Sequence, residues 1–335
     1  MPSLSAPALT ELAASALQQA GAHAAMARIT ARALVAADMQ GLPTHGVSRV
    51  PFYCAFLRNG RADGKAEPRI VKEKGAVCLI DNADGLPYAS CELAVTEAIR
   101  RARTFGIGYA GIKRSGHIGA LALSLAPAAE AGMVGIALSN SPAAIPAWGG
   151  RKALYGTNPI AAVFPRAGRE PLVIDMSLTT VTRGKIMLAA QKNEPIPEGW
   201  ALDPEGRPTT DPKAALEGGS LFPIGGAKGA MLALTFELLC TALTGAAIGA
   251  EADSFFSEQG NRPRIGQSFL VIDPAALAGT AVYHERIETL LAAMLAEPGV
   301  RLPGARRHAA EAAARRDGIA LSAELLHTLE RLAAG

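Results

Sequence analysis

The 335-residue sequence is short of aromatic side chains, with 9 Phe, 5 Tyr and 2 Trp, and holds only 4 cysteines and 6 histidines. Cys54, Cys78, Cys91 and Cys240 form no CxxC pair and no metal-ligand spacing, which predicts reduced thiols, a cytoplasmic setting and no metal site. A surplus of one charge is also missing. The 33 basic and 30 acidic residues leave a formal +3, too balanced for the clustered charge that nucleic acid demands. The N-terminus has neither a basic n-region nor an apolar h-region, so no secretory leader is expected. The nearest thing to a membrane span, residues 229–250, is interrupted by Glu237 and three threonines and reads as a buried helix. GxSxG, HExxH and EF-hand patterns are absent. "IGGAKGA" around Lys228 fails as a triphosphate loop, because Ala227 precedes the lysine and Gly229 follows it.

What remains is a globular chain, 49% hydrophobic and rich in Gly, long enough for two domains. Apolar positions recur at helical spacing from Leu9 to Met39 with a break at Gly21, predicting two packed helices. "AVCLID" predicts a strand at 76–81. Residues 91–105 predict an amphipathic helix with Leu93, Ile99 and Phe105 on one face and Arg100, Arg101 and Arg103 opposite. The next letters, Gly106-Ile-Gly108-Tyr-Ala-Gly111, spell a dinucleotide-binding turn, but that turn needs a strand before it and a helix after it. Here the order is reversed. Gly106 is therefore read as a left-handed helix cap and "IGYAGIK" as a strand, with the next helix opening near His117. Several short strands follow Gly132, then a helix at "TRGKIMLAAQKN", a Pro- and Gly-rich surface excursion at 194–219, and a glycine loop opening the apolar helix. "GQSFLVIDP" is a last strand before helices from 284 onward. The pattern predicts a mixed α/β (α+β) fold with helices at both ends.

Four histidines, His23, His284, His308 and His327, fall in polar helical stretches and read as surface. His45 and His117 do not. His45 in "LPTHGVSR" lies beside Thr44 and four residues before Arg49, grouping a hydroxyl, a titratable ring and a guanidinium suited to a carboxylate substrate, though Thr44 also fits a plain helix cap. His117 lies between Gly116 and Gly119, where backbone can approach an anionic ligand, or where small residues simply start a helix. Thr157 and Asn158 form a turn with donors available. Asp175 ends an apolar strand, where an acid can orient a ribose or cap a helix. Lys228 adds charge at a helix N-terminus.

In order along nearly the whole chain, "THGVSR", "SGHIGA", "SNSPAAIPAWGG", "YGTNPIA", "VIDMSLTTVTRGKI", "EPIPEGWALDPEGRPTTDP" and "GGAKGAMLAL" resemble the malate/L-lactate dehydrogenase family. This family is unrelated to the Rossmann dehydrogenases and includes sulfolactate and ureidoglycolate dehydrogenases and Δ1-piperideine-2-carboxylate/Δ1-pyrroline-2-carboxylate reductases. The resemblance implies a non-Rossmann NAD(P)-binding fold with a mainly antiparallel, mixed central sheet and a homodimeric assembly. It implies a helical domain of residues 1–115 plus 280–335 and a cofactor domain of residues 116–279. It further implies NAD(P)H held by His117, Ile118, Gly119, Ala120, Leu121, Ser139, Ile174, Asp175, Met176, Lys228 and the segment Pro303, Gly304, Ala305, Arg306 and Arg307. Arg49 and Thr157 would bind a small carboxylate. His117 serves as acid/base in hydroxyacid members, and His45, with a hydroxyl such as that of Thr44, in imine reductases; Lys185 stands where the imine reductases carry an aspartate. The expected reaction is hydride transfer between nicotinamide and C2 of a small 2-oxo or 2-hydroxy carboxylate. The alternative is reduction of a cyclic 2-imino carboxylate, and a third possibility is a binding protein that has lost turnover.

Overall fold

The computed structural model describes residues 2–335. Helices α1 (Ala6–Gln19) and α2 (Ala24–Met39) are capped by Ser5 and His23, whose side chains accept from Ala8 N and Met26 N, and they turn at Gly21 with φ 109°. Alanines on their facing sides let the axes come close. Leu9, Leu17 and Leu34 are fully buried between them, α3 (Val50–Arg58) and the last helix, α11 (Ala323–Ala334). The chain ends are stitched by an antiparallel pair, β1 (Ser3–Leu4) with β14 (Ile319–Ala320).

A seven-stranded sheet forms the second body of the fold. Its spatial order is β2 (Arg69–Lys74), β3 (Val77–Asp81), β4 (Ile107–Ser115), β13 (Ile265–Ile272), β5 (Val134–Ser139), β8 (Ile160–Arg166) and β9 (Arg169–Met176). Every neighbouring pair is antiparallel except β3 and β4, which α4 (Tyr88–Phe105) connects as a crossover. The sheet is mixed and mainly antiparallel, as expected. Short α5 (Ala126–Glu130) covers it, and a third core gathers the pair β6 (Ile145–Pro146) and β7 (Ala153–Tyr155), α6 (Arg183–Lys192) and α8 (Ala227–Thr241). Helices α9 (Thr280–Leu295) and α10 (Ala305–Asp317) bring the chain back to the first core.

The Gly106–Gly111 run has no free helix N-terminus beside it. Gly106 caps α4 at φ 79°, and the rest lies within β4. Gly108 is needed because a Cβ there would sit 2.0 Å from the Ala98 carbonyl oxygen, so α4 and β4 are in backbone contact. That contact corrects the helical face predicted from Leu93, Ile99 and Phe105. The buried stripe is Cys91, Ala94, Val95, Ala98, Ile99 and Ala102, small enough for the close approach, while Phe105 is 54% exposed. Arg101 is buried, donating to the Gly75 carbonyl at 2.6 Å and to Glu73 at 2.5 Å.

Three other expectations change. The turn after His117 is not yet helical; a 3-10 helix starts at Leu121 and passes into α5. The 194–219 excursion is not only a wrapping: β10 (Ala201–Leu202), β11 (Pro208–Thr209), α7 (Pro212–Leu216) and β12 (Ser220–Leu221) bury Ile196, Ala201, Ala215 and Leu221. Of the histidines read as surface, His327 is exposed, whereas His23 caps α2 and His308 bonds the Pro171 carbonyl at 3.0 Å, tying α10 to β9.

Residues 229–250 bend after Thr241, and no helix among the described residues is long and apolar enough to cross a membrane. Glu237 is buried because its carboxylate accepts from Asn158 Nδ2 (2.8 Å), Gly249 N (2.7 Å), Asn140 Nδ2 (3.2 Å) and Gly156 N (3.3 Å). It therefore organises the Thr157 loop. Glu237→Ala should lower stability by about 3 kcal/mol or more, since each buried donor left unpaired costs about 1–3 kcal/mol; a urea midpoint within error of wild type would refute this role.

Candidate active site

The segment before α3 is folded into two short 3-10 turns, Pro43–His45 and Val47–Arg49, joined at Gly46. Gly46 has no room for a side chain: a Cβ would lie 2.1 Å from Asp38 Oδ1. Asp38 reaches in from α2 to accept the Val47 N–H at 2.7 Å. Burial pushes its carboxyl up to about 6, against the lowering effect of that N–H. The turn sets Thr44 Oγ1 3.0 Å from His45 Nδ1 and lets Arg49 Nε donate to the Thr44 carbonyl at 3.1 Å.

Arg49 leads directly into α3, so the next turn of that helix carries Tyr53 underneath His117. The Tyr53 hydroxyl donates to the His117 carbonyl (3.0 Å), lies 3.0 Å from His117 Nδ1 and meets the Tyr88 hydroxyl at 3.1 Å. With the tyrosine proton on the carbonyl, Nδ1 is the donor in the neutral ring and Nε2 keeps a free lone pair. The two imidazoles stack, with centroids 5.7 Å apart and planes at 22°. Phe255 closes on His117 edge-on at 5.1 Å, and Phe256 lies under the Arg49 guanidinium at 4.9 Å. Arg49 is buried, and its terminal nitrogens have no hydrogen bond or ion pair among the described residues.

This crowding sets the charge state. Desolvation, then Arg49 and His45, pushes His117 well below the usual imidazole value, and desolvation, then Arg49, lowers His45. Both rings are neutral near pH 7, beside an open guanidinium.

A second cluster adjoins the first. Asp175, at the end of β9, accepts from Ala122 N at 3.3 Å and from Arg307 at 2.9 Å. Gly304, at φ 85°, opens α10 against Val173, where a Cβ would be 3.0 Å from the valine's own. The segments 117–121, 174–176 and 303–307 thus converge. Ser139 joins them through Gln267, whose Nε2 lies 3.4 Å from Ser139 Oγ and donates to the Gly116 carbonyl at 3.2 Å. A cleft of about 310 Å³ runs past His45, Tyr88, Ile118 and Ala120. Thr157 instead bonds Ser141, through its N–H at 2.9 Å, and Lys228 and Lys185 are exposed with no bond to either cluster among the described residues.

The sequence model described as malate/L-lactate dehydrogenase matches residues 4–330. The chain belongs to the malate/L-lactate dehydrogenase family. A (2R)-3-sulfolactate dehydrogenase (NADP(+)) of Chromohalobacter salexigens is 49% identical over 298 residues, 89% of this chain and 88% of that protein. A Δ1-pyrroline-2-carboxylate/Δ1-piperideine-2-carboxylate reductase of Pseudomonas putida is 36% identical over 97% of this chain and 95% of its own. The crystal structure of Δ1-piperideine-2-carboxylate reductase from Pseudomonas syringae pv. tomato superposes with a TM-score of 0.93 at 33% identity, covering 99% of this chain and 100% of that one. As a member of the malate/L-lactate dehydrogenase family the protein is an oxidoreductase.

Sequence reasoning overlooked Asp38, Tyr53, Tyr88 and Gln267, which sit in helices and strands and look like ordinary core or capping residues. Phe255 and Phe256 did leave a signal, two adjacent aromatics inside the polar run "ADSFFSEQGNRPR". In an NMR titration of the ring carbons, His45 and His117 should both protonate below 6.5, with His117 the lower; a midpoint at or above 6.5 for either would contradict the described enclosure.

Proposed function

We propose that the protein is an NADP(H)-dependent dehydrogenase of a small 2-hydroxy carboxylate, of the sulfolactate, malate or lactate kind, working as a cytoplasmic homodimer. The observation that carries the reading is Arg49, a buried guanidinium with both terminal nitrogens open, next to two neutral imidazoles. A planar fork matches a carboxylate bidentately, and a neutral ring beside it takes the proton of the neighbouring hydroxyl. His117 is assigned that proton because Tyr53 holds its Nδ1 and leaves Nε2 free. In the reverse direction the same nitrogen returns the proton to the 2-oxo group. Phe255 and Phe256 keep water from both.

The residues present fit a nicotinamide nucleotide. Gln267 Oε1 is buried without a partner, an acceptor for a primary carboxamide, and Ile118 and Ala120 line a cleft beside His45. His117 to Leu121, Asp175 and the Pro303–Arg307 segment would hold it, with Ser139 behind Gln267. When bound, the nicotinamide supplies or receives the hydride. Arg307 is engaged by Asp175, which leaves the exposed Arg306 for a 2′-phosphate and favours NADP over NAD, in keeping with the name of the relative at 49% identity.

Cyclic imine reduction is the second reading, favoured by one contact: the Thr44 hydroxyl 3.0 Å from His45 Nδ1 preserves a hydroxyl–imidazole pair in the second histidine. The homodimer is supported by Met231, Leu232 and Leu238 of α8 and by Leu243, all 43–63% exposed in the single chain. The cytoplasm is supported by four free, buried cysteines, and balanced charge argues against a nucleic-acid partner.

Assays with sulfolactate, malate and lactate, and with the two cyclic imines and NADPH, should show turnover of a hydroxyacid; turnover of imines alone would overturn the first reading. For the hydroxyacid, kcat/KM should rise through an apparent pKa below 6.5, because the lowered imidazole reaches its base form at lower pH. His117→Gln should cut it by at least about 100-fold and His45→Gln by much less. Arg49→Lys should raise KM by about 10- to 100-fold, the cost of losing a charge-assisted bidentate contact.

A further inference from the structure

We infer that Arg61, which bonds none of the reacting groups, is a positioning residue that holds the aromatic wall of the site in place. The turn that ends α3 consists of Asn59, Gly60 and Arg61, and all three grip the segment 254–262. Arg61 is 4% exposed and donates to the carbonyls of Ser254 (3.1 Å), Asn261 (3.0 Å) and Ser257, with its guanidinium 4.5 Å above Phe56. Asn59 Nδ2 donates to the Glu258 carbonyl, and Arg262 Nε returns a bond to the Gly60 carbonyl at 3.0 Å. The segment so held has little core of its own beyond Phe255, which meets His117, and Phe256, which lies under Arg49.

One short helix therefore sets both sides of the site. Its N-terminal end carries Arg49, its middle carries Tyr53 against His117, and its C-terminal turn fixes the loop whose phenylalanines cover Arg49 and His117. Three carbonyls converging on one planar guanidinium form a clamp that a lysine cannot copy, because a single ammonium reaches them only one or two at a time. Without the clamp the phenylalanines swing away, water reaches Arg49 and the imidazoles, and the carboxylate loses a dry partner.

The inference rests on the proposed dehydrogenase reading for its kinetic arm and on exchange alone for its structural arm. In Arg61→Lys, amide hydrogen exchange across residues 254–261 should rise by about tenfold or more, with the rest of the chain unchanged. With the hydroxyacid that the wild type turns over, kcat/KM should fall by about tenfold or more. The acid limb of the pH profile should move up toward 6.5, as water surrounds a ring that also faces His45, Arg49 and Tyr53. Arg61→Lys combined with Phe255→Ala should lose less than the two single losses added in free energy, since both act partly through the same phenylalanine. Unchanged exchange, an unmoved acid limb or additive losses would each overturn the assignment. If Arg61→Lys does not fold, Asn59→Ala removes one strap from an exposed side chain and must raise exchange in the same residues; no rise overturns it equally. A wild type inactive on every substrate tested would reject the dehydrogenase reading, while the exchange arm would still judge the clamp.

Discussion

A guanidinium buried without a carboxylate is the constraint around which this site is built. Arg49 keeps only its Nε–Thr44 bond, so its charge is uncompensated by any ion pair among the described residues. A buried cation is expensive unless something attracts it, and the neighbours share that task. Phe256 and Phe52 offer ring faces at 4.9 and 5.9 Å, and two imidazoles stay neutral beside it. The arrangement is complete only with an anion. Burial first, and then the Arg49 charge, holds the nearby rings in their base form.

The acids stand behind the site and act on backbone. Asp38 holds the N–H that follows Gly46, Asp175 holds Ala122 N and Arg307, and Glu237 holds Gly156 N beside Thr157 and Gly249 N of a second loop. Asp175 and Glu237 join segments far apart in sequence, and each acid is satisfied by donors that hydrophobic burial alone could not supply. Segments 117–122, 173–176 and 303–307, proposed to hold the cofactor, meet around Asp175, with Gly304 allowing backbone contact at Val173. The Gly106–Gly111 run takes no part, lying in the α4 cap and in β4.

Much of the fold was legible. Helical spacing identified α1, α2 and the C-terminal helices, an interrupted apolar run identified α8, and the order helix, glycine, strand was enough to reject Gly106–Gly111 as a dinucleotide turn. The misreadings share an origin in packing. Phe105 is exposed and Arg101 buried because α4 approaches β4 at Gly108, and a close approach selects small residues over large ones. The excursion at 194–219 buries a few scattered apolar residues, too sparse to show periodicity, against a core made by distant segments. Tyr53 and Gln267 were invisible because a helix or strand residue that points at a site has the same letters and spacing as one that points at a core.

The sequence by itself determined which chemical groups exist and which lie within one turn of each other: Thr44, His45 and Arg49 on one segment, His117 between two glycines, and the ordered motifs of the malate/L-lactate dehydrogenase family. Those are local facts, set by chain geometry. Only the tertiary structure decided that His45 and His117 stack, that Tyr53 selects the free nitrogen of one, and that Arg49 is left without a partner. Stacking, desolvation and unpaired charge arise between residues dozens to hundreds of positions apart, and their energies depend on a distance and a local dielectric that no spacing along the chain encodes.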